Sequence, residues 1–274
     1  MKTMNKVATS MLVAGLSLAS VPTYAGHVPG VSFTATPFTF NATAFGGGSF
    51  SASYIDFSYE AEVDQTGTAF TETGMGFFGT FRNSLGGAPV PGTGLGTAYQ
   101  MYAIFSGAGT TSPNLAGGVN GNFTSFNVEF FIDNDLNTTS NTFSNGIAGG
   151  NESKTRSGIT SDDVSILSGV LSIGGFHLFP GLAAGDFDVV FDVTSFNSSV
   201  FGGAAFAGAQ AQGDLNGVNT TITGVGGPGS TFVDGRIIGS GNAAFQVPEP
   251  ASLSLLGLGL LGMGAMLRRK SKAA

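Results

Sequence analysis

Apolar residues alternate with polar ones along much of the chain, the period-two pattern of a sheet with one buried face. In Phe50–Glu62, Ile55, Phe57, Tyr59 and Ala61 fall on one face, and Asp56, Ser58, Glu60 and Glu62 on the other. Phe126, Val128 and Phe130 alternate with Asn127 and Glu129; Phe187, Val189, Phe191 and Val193 alternate with Asp188, Val190, Asp192 and Thr194. The same pattern predicts strands over Val31–Thr43, Thr68–Asn83, Ala98–Gly107, Asp163–Ile173, Asn219–Thr223 and Thr231–Ile238. Turn chemistry separates them: Gly46-Gly47-Gly48, Gly86–Gly96 with Pro89 and Pro91, Asn141–Gly150 and Gly224–Gly229. Short strands, Gly-rich turns and no amphipathic helix predict an all-β, mostly antiparallel sandwich or jelly-roll-like domain. Periodicity alone leaves strand order open, and it does not separate a sandwich from a barrel.

The two ends read differently. Met1–Ala25 has Lys2 and Lys6 ahead of a small, apolar stretch, then Pro22 and Thr23-Tyr24-Ala25 before Gly26. That is the order of a secretory signal helix cleaved between Ala25 and Gly26. The other end, 247–272, opens with Val247-Pro248-Glu249-Pro250. An apolar run, Ala251–Leu267, follows and is 17 residues long, the lower limit for a transmembrane helix. Arg268, Arg269, Lys270 and Lys272 then form a basic stop-transfer tail that stays cytoplasmic by the positive-inside rule. The body between them, 26–246, is expected to be a Gly/Phe-rich acidic β domain on the far side of the membrane.

Composition sharpens this picture. The body carries 16 acidic residues and four bases (Arg82, Lys154, Arg156 and Arg236), a net of −12, whereas the whole chain is only −7. Such a body lacks the clustered Lys and Arg that nucleic-acid phosphates require, but it suits divalent cations. There are 25 Phe, no Trp and no Cys, so packing rests on phenylalanine and no thiolate or disulfide chemistry is available.

Candidate chemistry is sparse. Asp133-Asn134-Asp135 is the best candidate for a metal, Ca²⁺ being the ion that asks for several oxygen ligands. Asp and Asn are also default turn residues, and the turn is the preferred reading; Asp162-Asp163 joins if the fold brings it near. Asp186, Asp188 and Asp192 form an acidic stripe, read as a solvated outer face. The only histidines are His27 and His177, and no Gly-x-Ser-x-Gly elbow offers a nucleophile. No catalytic residue is expected, and the chain is read as a non-enzyme.

Val247-Pro248-Glu249-Pro250, the short apolar run and the basic end together resemble the PEP-CTERM sorting signal of Gram-negative bacteria. The resemblance implies recognition by an exosortase near Pro248-Glu249-Pro250, where two prolines keep the backbone extended. It implies Sec export, an inner-membrane intermediate held transiently by the C-terminal helix, and delivery to the cell surface or extracellular matrix. The body also resembles the flocculation-associated PEP-CTERM proteins. Gly79-Thr80-Phe81, Gly94-Leu95-Gly96-Thr97, Tyr99–Thr110, Phe130-Phe131-Ile132-Asp133-Asn134-Asp135, Ser168-Gly169 and Gly239-Ser240-Gly241-Asn242 carry that likeness. It implies bacterial aggregation, floc or biofilm formation and exopolysaccharide retention, with extracellular polysaccharide or other matrix components as partners. The alternatives are a structural envelope or matrix protein that binds no polysaccharide, and a polysaccharide-active enzyme.

Overall fold

The computed structural model describes residues 33–113, 118–140, 156–158, 160–179, 184–206, 211–223 and 235–246. The signal segment with Ala25 and Gly26, the motif Val247–Pro250, the apolar run 251–267 and the tail Arg268–Lys272 lie outside them. Among the described residues no helix is long and apolar enough to cross a membrane.

Thirteen strands are described: β1 (Phe38–Asn41), β2 (Ser49–Ala52), β3 (Tyr54–Thr66), β4 (Ala69–Arg82), β5 (Gln100–Pro113), β6 (Val119–Asp133), β7 (Thr139–Ser140), β8 (Arg156–Ser157), β9 (Val164–Leu178), β10 (Gly185–Phe196), β11 (Phe201–Gly202), β12 (Gln212–Thr223) and β13 (Gly235–Gln246). Eight of them close into an antiparallel barrel in the order β10-β12-β13-β3-β4-β5-β6-β9, with β9 pairing back onto β10. The all-β, antiparallel expectation holds. The sandwich or jelly-roll arrangement is corrected: there is one closed sheet.

The wall strands are 12 to 15 residues each, and β5, β9, β12 and β13 are longer than their sequence pattern suggests. The reason is glycine. Gly107, where an expected strand stops, and Gly121 and Gly213, outside the expected strands, each lie inside a strand beneath an aromatic ring, as does Gly169. A Cβ on Gly121 would stand 2.2 Å from the Phe176 ring, and one on Gly213 would stand 2.0 Å from Phe191. Glycine in a strand marks such a close approach. The large ring takes the volume that a second side chain would have filled.

Alternation sorts the side chains as predicted. Ile55, Phe57, Tyr59 and Ala61 of β3 point inward and are buried, as are Phe126, Val128 and Phe130 of β6 and Val189 and Phe191 of β10. Ser58, Thr71 and Asn127 are exposed on the outside. A membrane barrel has the reverse arrangement, with its apolar band outward. Arg82 pairs with Asp56, and Arg236 with Glu60 at 2.5 Å, so two of the body's four bases are held against outer-face acids.

The two ends of the barrel are closed differently. At one, a small sheet in the order β11-β1-β2 brings Phe38, Phe40 and Phe201 onto Phe81 and Phe245, with ring centroids 4.8 to 6.0 Å apart. β13 ends here. At the other, where the β3–β4 hairpin turns, Phe70, Phe123 and Phe176 lie 5.2 to 6.2 Å from one another.

Candidate functional site

The predicted metal turn follows β6. Asp133 is fully buried, and its carboxylate is occupied by the backbone that follows. Oδ1 accepts from the N–H groups of Asp135 (2.9 Å) and Leu136 (3.0 Å), and Oδ2 accepts from Thr138 N–H (2.8 Å). Leu136 takes a left-handed φ of 62°, which this folded-back turn requires. Burial pushes the Asp133 carboxyl up, but the bonds from Thr138 and Asp135 outweigh it and hold the group below its ordinary value.

The fold does bring Asp162 to this turn. Carboxylate oxygens of Asp133, Asp135 and Asp162 lie within 4.8 Å of one another. The hydrogen bond to Asp133, slight burial and the nearby Asp162 raise the proton affinity of Asp135. Asn134 is exposed at the tip. Asp163 serves the packing instead: it accepts from the Tyr102 hydroxyl at 2.5 Å, beneath an outward cluster of Met75, Tyr102 and Phe131. The hydrogen bonds therefore describe an Asx-type turn, with three carboxylates that could serve a cation at its rim.

The acidic stripe departs from expectation. Asp186, Asp188 and Asp192 do share the outer face of β10, but only Asp192 is exposed, accepting from Gln212 at 2.7 Å. Asp186 and Asp188 are buried, beside the buried Asp214 of β12. Burial, and after it the neighbouring Asp188, drives the Asp214 carboxyl well above its ordinary value, although Asn216 donates to it at 2.6 Å. Nearby acids in a desolvated place favour the protonated form of one of them. His177 stands 3.9 Å from Asp186 on the neighbouring strand. Its ring also meets the Phe179 ring edge-on, with centroids 5.3 Å apart.

Sequence reasoning missed the barrel interior. Between the two aromatic ends lies a cavity of about 40 Å³ lined by Phe57, Phe105, Phe126, Phe187, Leu215 and Ile237, among others. Three polar residues reach it: Tyr59, Glu72 and Asn219. The Tyr59 hydroxyl donates to the Asn219 side-chain oxygen. Glu72 is 8% exposed. Burial pushes its carboxyl from an ordinary 4.5 to about 8, so it is mostly protonated at neutral pH. Its negative form would in turn oppose ionisation of Tyr59, whose pKa burial already raises. The signal was available: Glu72 shares the parity of Phe70, Gly74, Gly76 and Phe78, the inward face of β4.

Comparison with known proteins assigns the C-terminal end. The family model for the PEP-CTERM protein-sorting motif matches residues 246–270. The chain is thus an exported protein that carries a PEP-CTERM motif, is directed to the cell surface and is processed by an exosortase. No curated protein and no solved structure matches it.

Proposed function

We propose that this protein is a non-catalytic surface or matrix component that promotes cell aggregation and retains exopolysaccharide. The observation that supports this reading is a hydrogen-bonding outer wall on a protein sorted outward. Ser106, Thr110, Asn120, Asn122, Thr124 and Asn127 are all exposed on the adjoining strands β5 and β6. Amide and hydroxyl side chains of this kind match the hydroxyls of a sugar polymer. Each contact is weak, and many copies on one matrix raise the effective concentration. The net acidity of the body adds a second attachment, with divalent cations bridging it to anionic polymer.

Deleting the gene is expected to reduce floc formation and release polymer into the medium. Unchanged flocs and unchanged polymer retention would refute the proposal. Intact mass of the exported protein, with and without Pro248→Ala and Glu249→Ala, tests the sorting step by itself. The wild-type C-terminus is expected near Val247–Pro250, with the tail retained in both variants. A structural matrix protein without polymer affinity would instead restore flocs yet fail to bind isolated exopolysaccharide.

A further inference from the structure

The body carries a net charge of −12, yet one panel of its outer wall bears no Asp, Glu, Lys or Arg. It comprises the outward positions of 69–73 in β4, 106–110 in β5, 122–127 in β6 and 170–175 in β9, four strands that lie side by side. Glu72, within the first of these stretches, faces the interior instead. Register lines the panel up in rows across the strands. Thr73, Ser106, Asn127 and Val170 share one row, and Ala69, Thr110, Asn122 and Gly175 share another. Acids resume on both flanks, with Asp64 of β3 opposite Thr71 and Asp192 of β10 opposite Val170. At a strand spacing of about 4.8 Å the middle of the panel lies roughly 12 Å from either flank. That exceeds the Debye length of about 8 Å at physiological salt, so the flanking charges are largely screened there.

We propose that this panel is the polymer-binding face and that the polymer it takes is a neutral polysaccharide, a chain of sugars without carboxylate, sulfate or amine groups. The inference rests on the reading that the outer wall holds polymer, and it names the class. The amides of Asn122 and Asn127 donate and accept, as do the hydroxyls of Ser106 and Thr110, and all four are exposed. Sugar hydroxyls do the same, so each can be answered in either direction. Val170 and Ile173, 40% and 44% exposed on β9, offer aliphatic surface to the C–H faces of the sugar rings. An anionic chain finds no base on the panel and is repelled by the net charge around it. A polycation is drawn to the acids of the flanks instead. The outside of a closed barrel is convex, so each contact is weak and retention comes from many copies on one polymer.

The test is affinity electrophoresis of the exported protein through gels cast with exopolysaccharide of the same cells, split by anion exchange into a neutral and an acidic fraction. The neutral fraction is expected to retard the protein equally with and without a chelator of divalent ions. The acidic fraction should not retard it once the chelator is present. Asn122→Ala combined with Asn127→Ala should weaken retention by the neutral fraction about tenfold, the loss of two hydrogen bonds. Ser58→Ala with Ser240→Ala, exposed partners on β3 and β13 outside the panel, should leave it unchanged. All four positions are on the surface, and far-ultraviolet circular dichroism checks that the variants fold. Retention by the acidic fraction alone, abolished by the chelator, would overturn the proposal while polymer retention through cation bridges still stands. Neutral-fraction binding that survives the asparagine pair unchanged would overturn the panel as the face. Retention by neither fraction would overturn the proposal and polymer binding together, and flocs lost on gene deletion would then point to a structural matrix protein.

Discussion

Tyr59 and Asn219 lie 160 residues apart in sequence and meet inside the barrel, the phenol hydroxyl of β3 donating to the amide oxygen of β12 across the intervening β13. Tyr59→Phe keeps the ring and leaves the Asn219 oxygen without its donor in a buried place. The expected loss is about 1–3 kcal/mol, read as a lower urea midpoint with an unchanged denaturant slope. An unchanged midpoint would mean that the Asn219 oxygen is satisfied elsewhere.

Glu72 makes stability depend on pH. Between about pH 4.5 and 8 the folded chain holds a proton that the unfolded chain has given up. Stability therefore falls as pH rises through this window and levels off above it. Tyr59, the titratable neighbour, ionises well above the window. Asp214 contributes a slope of the same sign, so the Glu72 share is the difference between wild type and Glu72→Gln. Over that range the difference should change by roughly 3–5 kcal/mol. Parallel curves for the two proteins would show that Glu72 ionises normally.

The turn at Asp133 is expected to stand without a cation. Asp133→Ala strips the acceptor from three backbone N–H groups and should cost roughly 2–3 kcal/mol, lowering the melting temperature. Chelation of divalent ions should leave wild-type melting unchanged. If chelation lowers it as far as the substitution does, a bound ion holds the turn, with Asp135 and Asp162 as its other carboxylates.

Gly74→Ala tests the role of glycine beneath the rings. Its Cβ would stand 2.0 Å from the Phe105 ring, so the ring must move. Overpacking of this kind costs about 1–3 kcal/mol. Phe105→Leu in the same chain should recover part of the loss, and additive destabilisation of the two changes would break the argument.

The sequence pattern shows which side chains of β3, β6 and β10 face the core, because local alternation decides that. The turn at Asp133 and the sorting motif are equally local. Barrel closure depends on the pairing of β3 with β13, the first and last strands of the wall, which no local pattern encodes. Strand length was obscured at Gly107, Gly121 and Gly213, which interrupt the alternation and serve as floors for phenylalanine rings. Glu72 was hidden by its own strand. Outward Met75 and Phe77 pack against Tyr102, so β4 looks apolar on both faces and the inward acid does not stand out. The burial of Asp188 and Asp214 likewise arises from neighbours distant in sequence.

β13 runs to Gln246, and Val247 of the motif is the next residue. The strand is hydrogen-bonded along both edges, to β12 from Gln212↔Gln246 to Thr223↔Arg236 and to β3 from Ala244↔Tyr54 to Gly235↔Val63. A pull applied at Gln246 in line with β13 acts along the strand axis. Both ladders then carry the force in shear, their bonds loaded together instead of unzipped in turn. The end of the wall that leads into the sorting motif is thereby mechanically stiff.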